Sequence, residues 1–356
     1  SMDYGFVFPA HIHIHKDVSY AEQHGFTHAW LYDSQMLFSD PYVSLAFCAT
    51  NTKTIKLGTG VTNPSSRIAP VTANSFATIN ALAPGRTILG IGTGNTARRT
   101  LGMPAATLDS MREHIRICRD LLGGKTTDYT EGTRHRKIKF LNPDADWYNI
   151  KDPVPAYIAA SGPKSLEMAG EIADGVILFG AVSPTLIDFV MEHVRAGAER
   201  AGRNPADVYA LVMTAFHLTQ KGESLETSEV RQAVGPFVSS STNIFALSNP
   251  DPQTLPAELR SDIMAFRDIY KVPEGPIETR HLQMYSDYLL GFKKEHEPVV
   301  TEKIIRATTL TGTAEEIVEA VHGMKKAGIH QVAIQPIVDN QKTVEQFSRE
   351  IISRVK

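Results

Sequence analysis

Short apolar runs alternate with longer mixed segments along most of the chain, which is the pattern of buried strands separated by helices. Tyr4–Phe8 reads as a first strand, followed by a helix over Asp17–His24 that stops at Gly25. Thr27–Tyr32 reads as a second strand and Pro41–Thr50 as its helix, with Asp40 as N-cap. Ile55–Gly58 and Thr87–Ile91 are the next strands, separated by a helix over Val71–Ala83 that Pro84-Gly85 closes. A helix over Leu108–Leu122 ends at Gly123-Gly124, and a polar excursion runs from Lys125 to Asp152. Strand five is Ala156–Ala159 with a helix over Lys164–Ile172, and strand six is Gly175–Phe179 with a helix over Pro184–Ala201. Strand seven is Val208–Thr214; strand eight is Gln331–Gln335, followed by a terminal helix over Thr343–Val355.

Eight strand-helix units favour an α/β fold of the TIM (β/α)8 type over an open doubly wound sheet. The chain then reads as one domain over 1–356. Between Thr219 and Thr309 about ninety residues carry no clear barrel strand, too many for a bare loop. This stretch, 219–309, is expected to be a mainly helical insertion after strand seven that covers the barrel mouth. Thr313-Ala314-Glu315-Glu316 then caps the helix that feeds strand eight.

Composition narrows the partners. The formal net charge is -3, from 36 basic and 39 acidic residues, so no strongly basic field argues for nucleic acid or an anionic membrane. No apolar run is long enough for a membrane span. The two cysteines, Cys48 and Cys118, sit in apolar helical contexts as small buried hydrophobes, consistent with a reducing cytoplasm. A small-molecule substrate is the default partner.

The chemistry gathers where strands end in glycine. Ile55-Lys56-Leu57 opens into Gly58-Thr59-Gly60-Val61-Thr62-Asn63-Pro64, leaving bare backbone free to approach a flat ligand. The pattern recurs as Gly90-Ile91-Gly92-Thr93-Gly94-Asn95. This second run lacks the third glycine and the later acidic residue of a dinucleotide fingerprint. Its amides and hydroxyls can still cradle a phosphate, with Arg98 and Arg99 supplying charge, or form a plain tight turn. Ala160-Ser161-Gly162-Pro163-Lys164 offers a helix start with Pro163 at its first turn and free NH donors.

The runs GTGVTNPSSR, GRTILGIGTGN and AASGPKSLEMAGEIADGVI resemble the bacterial luciferase-like superfamily of flavin and deazaflavin oxidoreductases, with the nearest likeness to the methylene-tetrahydromethanopterin reductase type. The resemblance covers Asp3 to about Arg203 and about Thr308 to the C-terminus. It implies a non-prolyl cis peptide at Gly60-Val61 behind the cofactor ring. It places Thr59 and Asn63 near the pyrimidine side of that ring, and Gly92, Thr93, Gly94, Asn95, Ser161 and Gly162 around the phosphate. Asp33 joins the cofactor contacts; the family often has an acidic residue followed by His at this point, whereas this chain has Asp33-Ser34.

Other histidines are then candidates for proton transfer. His11, His13 and His15 alternate after strand one, and His11 is the one expected on the substrate rim or in a solvated loop. No partner set with metal-ligand spacing accompanies them, so no metal is expected. Arg280-His281, with Tyr285 and Tyr288, forms a polar-aromatic cluster in the insertion, and His281 is the second catalytic candidate.

The resulting expectation is a reduced-FMN-dependent monooxygenase acting on a small organic substrate, with the FMN supplied by a separate flavin reductase. Hydride transfer with coenzyme F420 is the alternative, and a non-catalytic flavin-binding protein of the same fold is a third. A homo-oligomer, dimer or higher, is expected.

Overall fold

The computed structural model describes residues 1–269, 273–283 and 292–355, which divide into two compact units, Phe8–Ile158 and Ser1–Val7 with Ala159–Lys356. Strands β1 (Asp3–Phe8), β2 (His28–Leu31), β3 (Lys56–Thr59) and β4 (Thr87–Ile91) follow the expected order. After them come β5 (Thr127–Glu131), β6 (Arg134–Ile138), β7 (Ala156–Ala159), β8 (Gly175–Phe179), β9 (Tyr209–Leu218), β10 (Leu310–Gly312) and β11 (Gln331–Gln335). The main sheet runs β10-β9-β11-β1-β2-β3-β4-β7-β8, and β9 also pairs with β8, so the parallel strands close into a TIM barrel.

In the unit Phe8–Ile158, β2 and β3 pair in register from His28↔Lys56 to Leu31↔Thr59, and β4 pairs with β7 from Leu89↔Ala156 to Ile91↔Ile158. Gly58 is glycine for a packing reason: a Cβ there would lie 2.6 Å from Cζ3 of the buried Trp30 and 3.0 Å from the Ile88 carbonyl. The turn into β3 is held by two side chains. Glu22 accepts the amides of Lys53, Thr54 and Ile55, which holds its carboxyl below the ordinary range against the opposing effect of burial. Arg86 donates to the Ile55 carbonyl at 2.9 Å and to Thr52 Oγ1 at 3.0 Å.

The stretch Lys125–Asp152 is not simply irregular. It contains the antiparallel hairpin β5–β6, turning at Gly132 with φ 58°. Its residues are mostly exposed, so no apolar alternation marks it in the sequence. It is held by Lys137–Asp128 at 2.6 Å and by Arg116, which donates to Thr127 Oγ1 and the Asp128 carbonyl.

In the second unit, β8, β9, β11 and β1 pair in parallel, from Gly175↔Tyr209, Gln331↔Leu211 and Asp3↔Gln331. The helices Pro163–Ile172 and Pro184–Arg200 cross with bare backbone between them: a Cβ on Gly170 would overlap the Val194 carbonyl, and one on Gly197 the Glu167 carbonyl. Strand seven runs on to Leu218 rather than stopping at Thr214, because its end is paired by the short β10, which the sequence pattern did not reveal. The insertion is mainly helical among the described residues, with helices over Ser228–Ser248 and Arg260–Ile269, and Glu302–Thr308 follows at its end. Thr313 and Glu316 form the expected capping box. The terminal helix starts earlier than expected, at Asn340, with Asp339 as its cap, and passes into a wider turn over Ser348–Ile352.

Candidate active site

The barrel strands of the unit Phe8–Ile158 deliver their polar residues to the C-terminal ends of β2, β3 and β4. After β3 the Gly60-Val61 peptide is cis, at the bond the sequence resemblance implied. Thr62 then rejoins β4: its amide donates to the Gly90 carbonyl at 2.8 Å, and its carbonyl accepts from the Gly92 amide at 2.9 Å. Thr59 is fully buried, and its hydroxyl donates to the Gly90 carbonyl at 2.6 Å while accepting from the Gly90 amide at 3.1 Å. The Thr59 hydroxyl and the Gly92 amide therefore tie β3 to β4.

Asn63 is buried and makes a local turn, accepting the amides of Ser65 and Ser66 on Oδ1 and donating from Nδ2 to Ser66 Oγ. Gly94, in the left-handed region with φ 81°, packs against it. Gly94 starts the short helix Asn95–Arg99, and Thr93 and Asn95 flank it with partly or fully exposed side chains. Gln35 anchors this segment, donating to the Ala97 carbonyl and to Thr100 Oγ1, both at 2.6 Å.

Asp33, at the end of β2, is buried and accepts from Thr62 Oγ1 at 2.7 Å and from the Arg67 guanidinium at 2.9 Å. Arg67 also donates to Asp40 at 2.9 Å and lies 4.4 Å over the Tyr42 ring. Burial works against the Arg67 charge, but Asp33, Tyr42 and Asp40 outweigh it and raise its pKa. Burial, reinforced by Asp33, likewise pushes the Tyr42 hydroxyl up; it donates to Thr62 Oγ1 at 3.2 Å. Asp33, Thr59, Gly60, Val61, Asn63, Gly92, Thr93, Gly94 and Asn95 thus form one connected set.

His11 belongs to the same unit, on the loop after β1, half-buried with Nδ1 accepting the His13 amide at 3.1 Å. Ser161, Gly162 and His281 belong to the other unit. There Ser161 Oγ bonds Ser248 Oγ at 3.0 Å, and the amides of Ser161 and Gly162 both face Ser165 Oγ at 3.3 Å. His281 lies in a single turn over Arg280–Leu282, half-buried, and its Nδ1 is enclosed with no hydrogen-bond partner among the described residues. Tyr285 and Tyr288 lie outside the described residues. No group of three or more His, Cys, Asp or Glu among the described residues is placed to hold a metal ion.

The model of the luciferase-like monooxygenase family matches residues 14–331. The chain belongs to that family. It is 30% identical over 339 residues to 5,10-methylenetetrahydromethanopterin reductase of Methanolobus tindarius, covering 93% of each chain. It is 25% identical over 352 residues to F420-dependent glucose-6-phosphate dehydrogenase of Kineococcus radiotolerans, covering 93% of this chain and 89% of that one. The coenzyme F420 dependent tetrahydromethanopterin reductase of Methanopyrus kandleri superposes with a TM-score of 0.70 over 100% of both chains at 23% identity. As a luciferase-like oxidoreductase, the chain uses the luciferase-like barrel, and its connected set stands at strand C-terminal ends, where such barrels place their sites.

Sequence reasoning missed the side chains that hold this set. Arg67 was in view in the motif but unassigned, because its partner Asp33 is 34 residues away and no periodicity links them. Ser248 lies in the insertion, and nothing in its neighbourhood marks it as a partner of Ser161.

Proposed function

We propose that this protein is an F420-dependent oxidoreductase that moves a hydride between the deazaflavin and a small organic substrate. The match along 93% of the chain to 5,10-methylenetetrahydromethanopterin reductase carries this reading, and it takes the place of the reduced-FMN monooxygenase expected first. The donor set suits an acidic cofactor: Gly92–Leu101 offers exposed Asn95 and half-exposed Thr93, carries Arg98 and Arg99, and contains no acidic residue. In this reading Thr93, Gly94, Asn95, Ser161 and Gly162 hold the phosphate, while Gly60, Val61, Asn63 and the Asp33–Thr62 pair back the ring. F420, when bound, supplies the ring carbon that takes or gives the hydride. His11 and His281 are the proposed proton-handling groups. The insertion 219–309 is proposed, on its length, to keep water from the ring; within its own unit, its Ser248 shares a hydrogen bond with Ser161 just beyond β7.

The test is the ligand itself. Protein purified from a host that makes both cofactors should carry the deazaflavin absorbance, and titration should give a Kd for F420 at least tenfold below that for FMN. Preferential FMN binding with substrate-dependent oxygen consumption would establish the monooxygenase instead. Tight binding of oxidised flavin without turnover by any reductant would mark a binding protein.

A further inference from the structure

Three strand-end loops of the unit Phe8–Ile158 expose large apolar side chains. Ile12 follows β1 and is 59% exposed, Met36 follows β2 at 71%, and Leu101 and Met103 follow β4 at 44% and 51%. The loops are bonded to one another. The Ser39 amide donates to the Ala10 carbonyl at 2.9 Å, and Gln35 Nε2 donates to the Ala97 carbonyl and to Thr100 Oγ1, both at 2.6 Å. Met36 is thus held between the anchored residues Gln35 and Ser39. Its φ of 69° is the only left-handed one at a non-glycine position among the described residues. A left-handed backbone is costly for a residue with a long side chain and persists where the surroundings impose it, most often at ligand sites. Exposed apolar side chains gathered at the C-terminal ends of barrel strands mark a binding surface.

We propose that this rim receives the apolar body of a small neutral substrate, with the substrate's carbonyl or hydroxyl group beside His11. The inference deepens the reading above and rests on it for the hydride chemistry. Charge selects the class of substrate. No Asp or Glu occurs in 9–16, 34–39 or 92–106, and Asp33 is committed to Arg67 and Thr62, so a cationic substrate finds no counter-ion here. Arg98 and Arg99 serve the acidic cofactor in that reading, so a phosphorylated substrate would compete with it for them. His11 suits a neutral polar end. Its Nδ1 accepts the His13 amide at 3.1 Å, so the neutral ring carries its proton on Nε2 and offers it to an oxygen acceptor. Reduction of a carbonyl then adds one hydride at carbon, from the reduced deazaflavin of that reading, and one proton at oxygen, from His11 Nε2.

Methyl NMR of the purified full chain, labelled at its methionine methyl groups, tests this, with Met36→Leu and Met103→Leu assigning two of the signals. Acetophenone should shift both signals saturably and bind about tenfold more tightly than acetone, while glucose 6-phosphate should leave both unmoved. Met36→Asn separates a binding role from a structural one, because asparagine accepts a left-handed backbone and lacks the apolar end. It should keep its Tm and weaken acetophenone binding about fivefold. If this variant does not fold, Met103→Ser should weaken the same binding several-fold. Acetophenone that leaves both methyl signals in place overturns the proposal, as does acetone bound equally well or glucose 6-phosphate that shifts them. So does a folded Met36→Asn protein, or in its place Met103→Ser, with unchanged affinity for acetophenone. These signals need no turnover, so failure of the F420 reading is seen separately, in the absorbance of the bound cofactor.

Discussion

A Cβ placed on Gly94 would lie 2.7 Å from the Cβ of Asn63, so the two glycine-rich strand ends are in direct contact at a point where only hydrogen fits. The φ of Gly94 is 81°, which adds a conformational cost for any other residue. Gly94→Ala should therefore lower stability by about 1–3 kcal/mol as well as weaken cofactor binding. Asn95→Ala, at an exposed position, should weaken cofactor binding several-fold and leave the Tm within a degree. Thermal melts and F420 titrations of both variants read the contrast; unchanged binding in Asn95→Ala would remove that side chain from the site.

The Arg67–Asp33 pair predicts an asymmetry. The Asp33 side chain is 4% exposed and that of Arg67 22%. Arg67→Met leaves a buried carboxylate that keeps the hydrogen bond from the Thr62 hydroxyl and loses its ion-pair partner, and should cost about 2–3 kcal/mol, somewhat less than a fully buried pair because Arg67 is partly solvated. Asp33→Asn keeps the bond from Thr62 and leaves Arg67 on Asp40, so about 1 kcal/mol is expected. Urea unfolding midpoints of the two variants check the order of these losses.

Acid should destabilise the protein through His114. Burial lowers its pKa from 6.5 to about 4, and its Nε2 lies 3.0 Å from Thr72 Oγ1 in the neighbouring helix. The unfolded chain takes up this proton before the folded one does, so the stability tied to neutral His114 is complete above pH 6.5 and is lost as pH falls toward 4. The loss should be about 2 kcal/mol at pH 5. His114→Gln can retain a bond to Thr72 without titrating, and its urea midpoint should change less between pH 7.5 and 5 than that of the wild type.

Ser248 links the insertion to the strand end at Ser161 by a single 3.0 Å hydrogen bond between half-buried hydroxyls. Ser248→Ala should cost at most about 1 kcal/mol of stability while weakening F420 binding more than that of the same chromophore without its phosphate-bearing tail. Equal effects on both ligands would confine Ser248 to a packing role.

The sequence by itself determined the eight barrel strands and the glycine-marked ends of β3 and β4, because buried parallel strands are apolar on both faces and glycine at their ends has few other uses; the end of strand seven, at Leu218 rather than Thr214, was decided by its pairing with β10. It also located the Gly60-Val61 bond and the family through the motifs at β3, β4 and β7. It missed β5–β6 and β10, whose formation depends on cross-strand hydrogen bonds, long side chains and a neighbour's edge rather than on apolar period. It gave Thr59 and Gly92 as ligand contacts, whereas only tertiary structure shows the hydroxyl of one and the amide of the other committed between β3 and β4. The pairings Arg67–Asp33, Asn63–Gly94 and Ser161–Ser248 join residues 34, 31 and 87 positions apart. Such contacts are set by which strand ends the sheet order brings side by side, and a local pattern of side chains carries no record of that order.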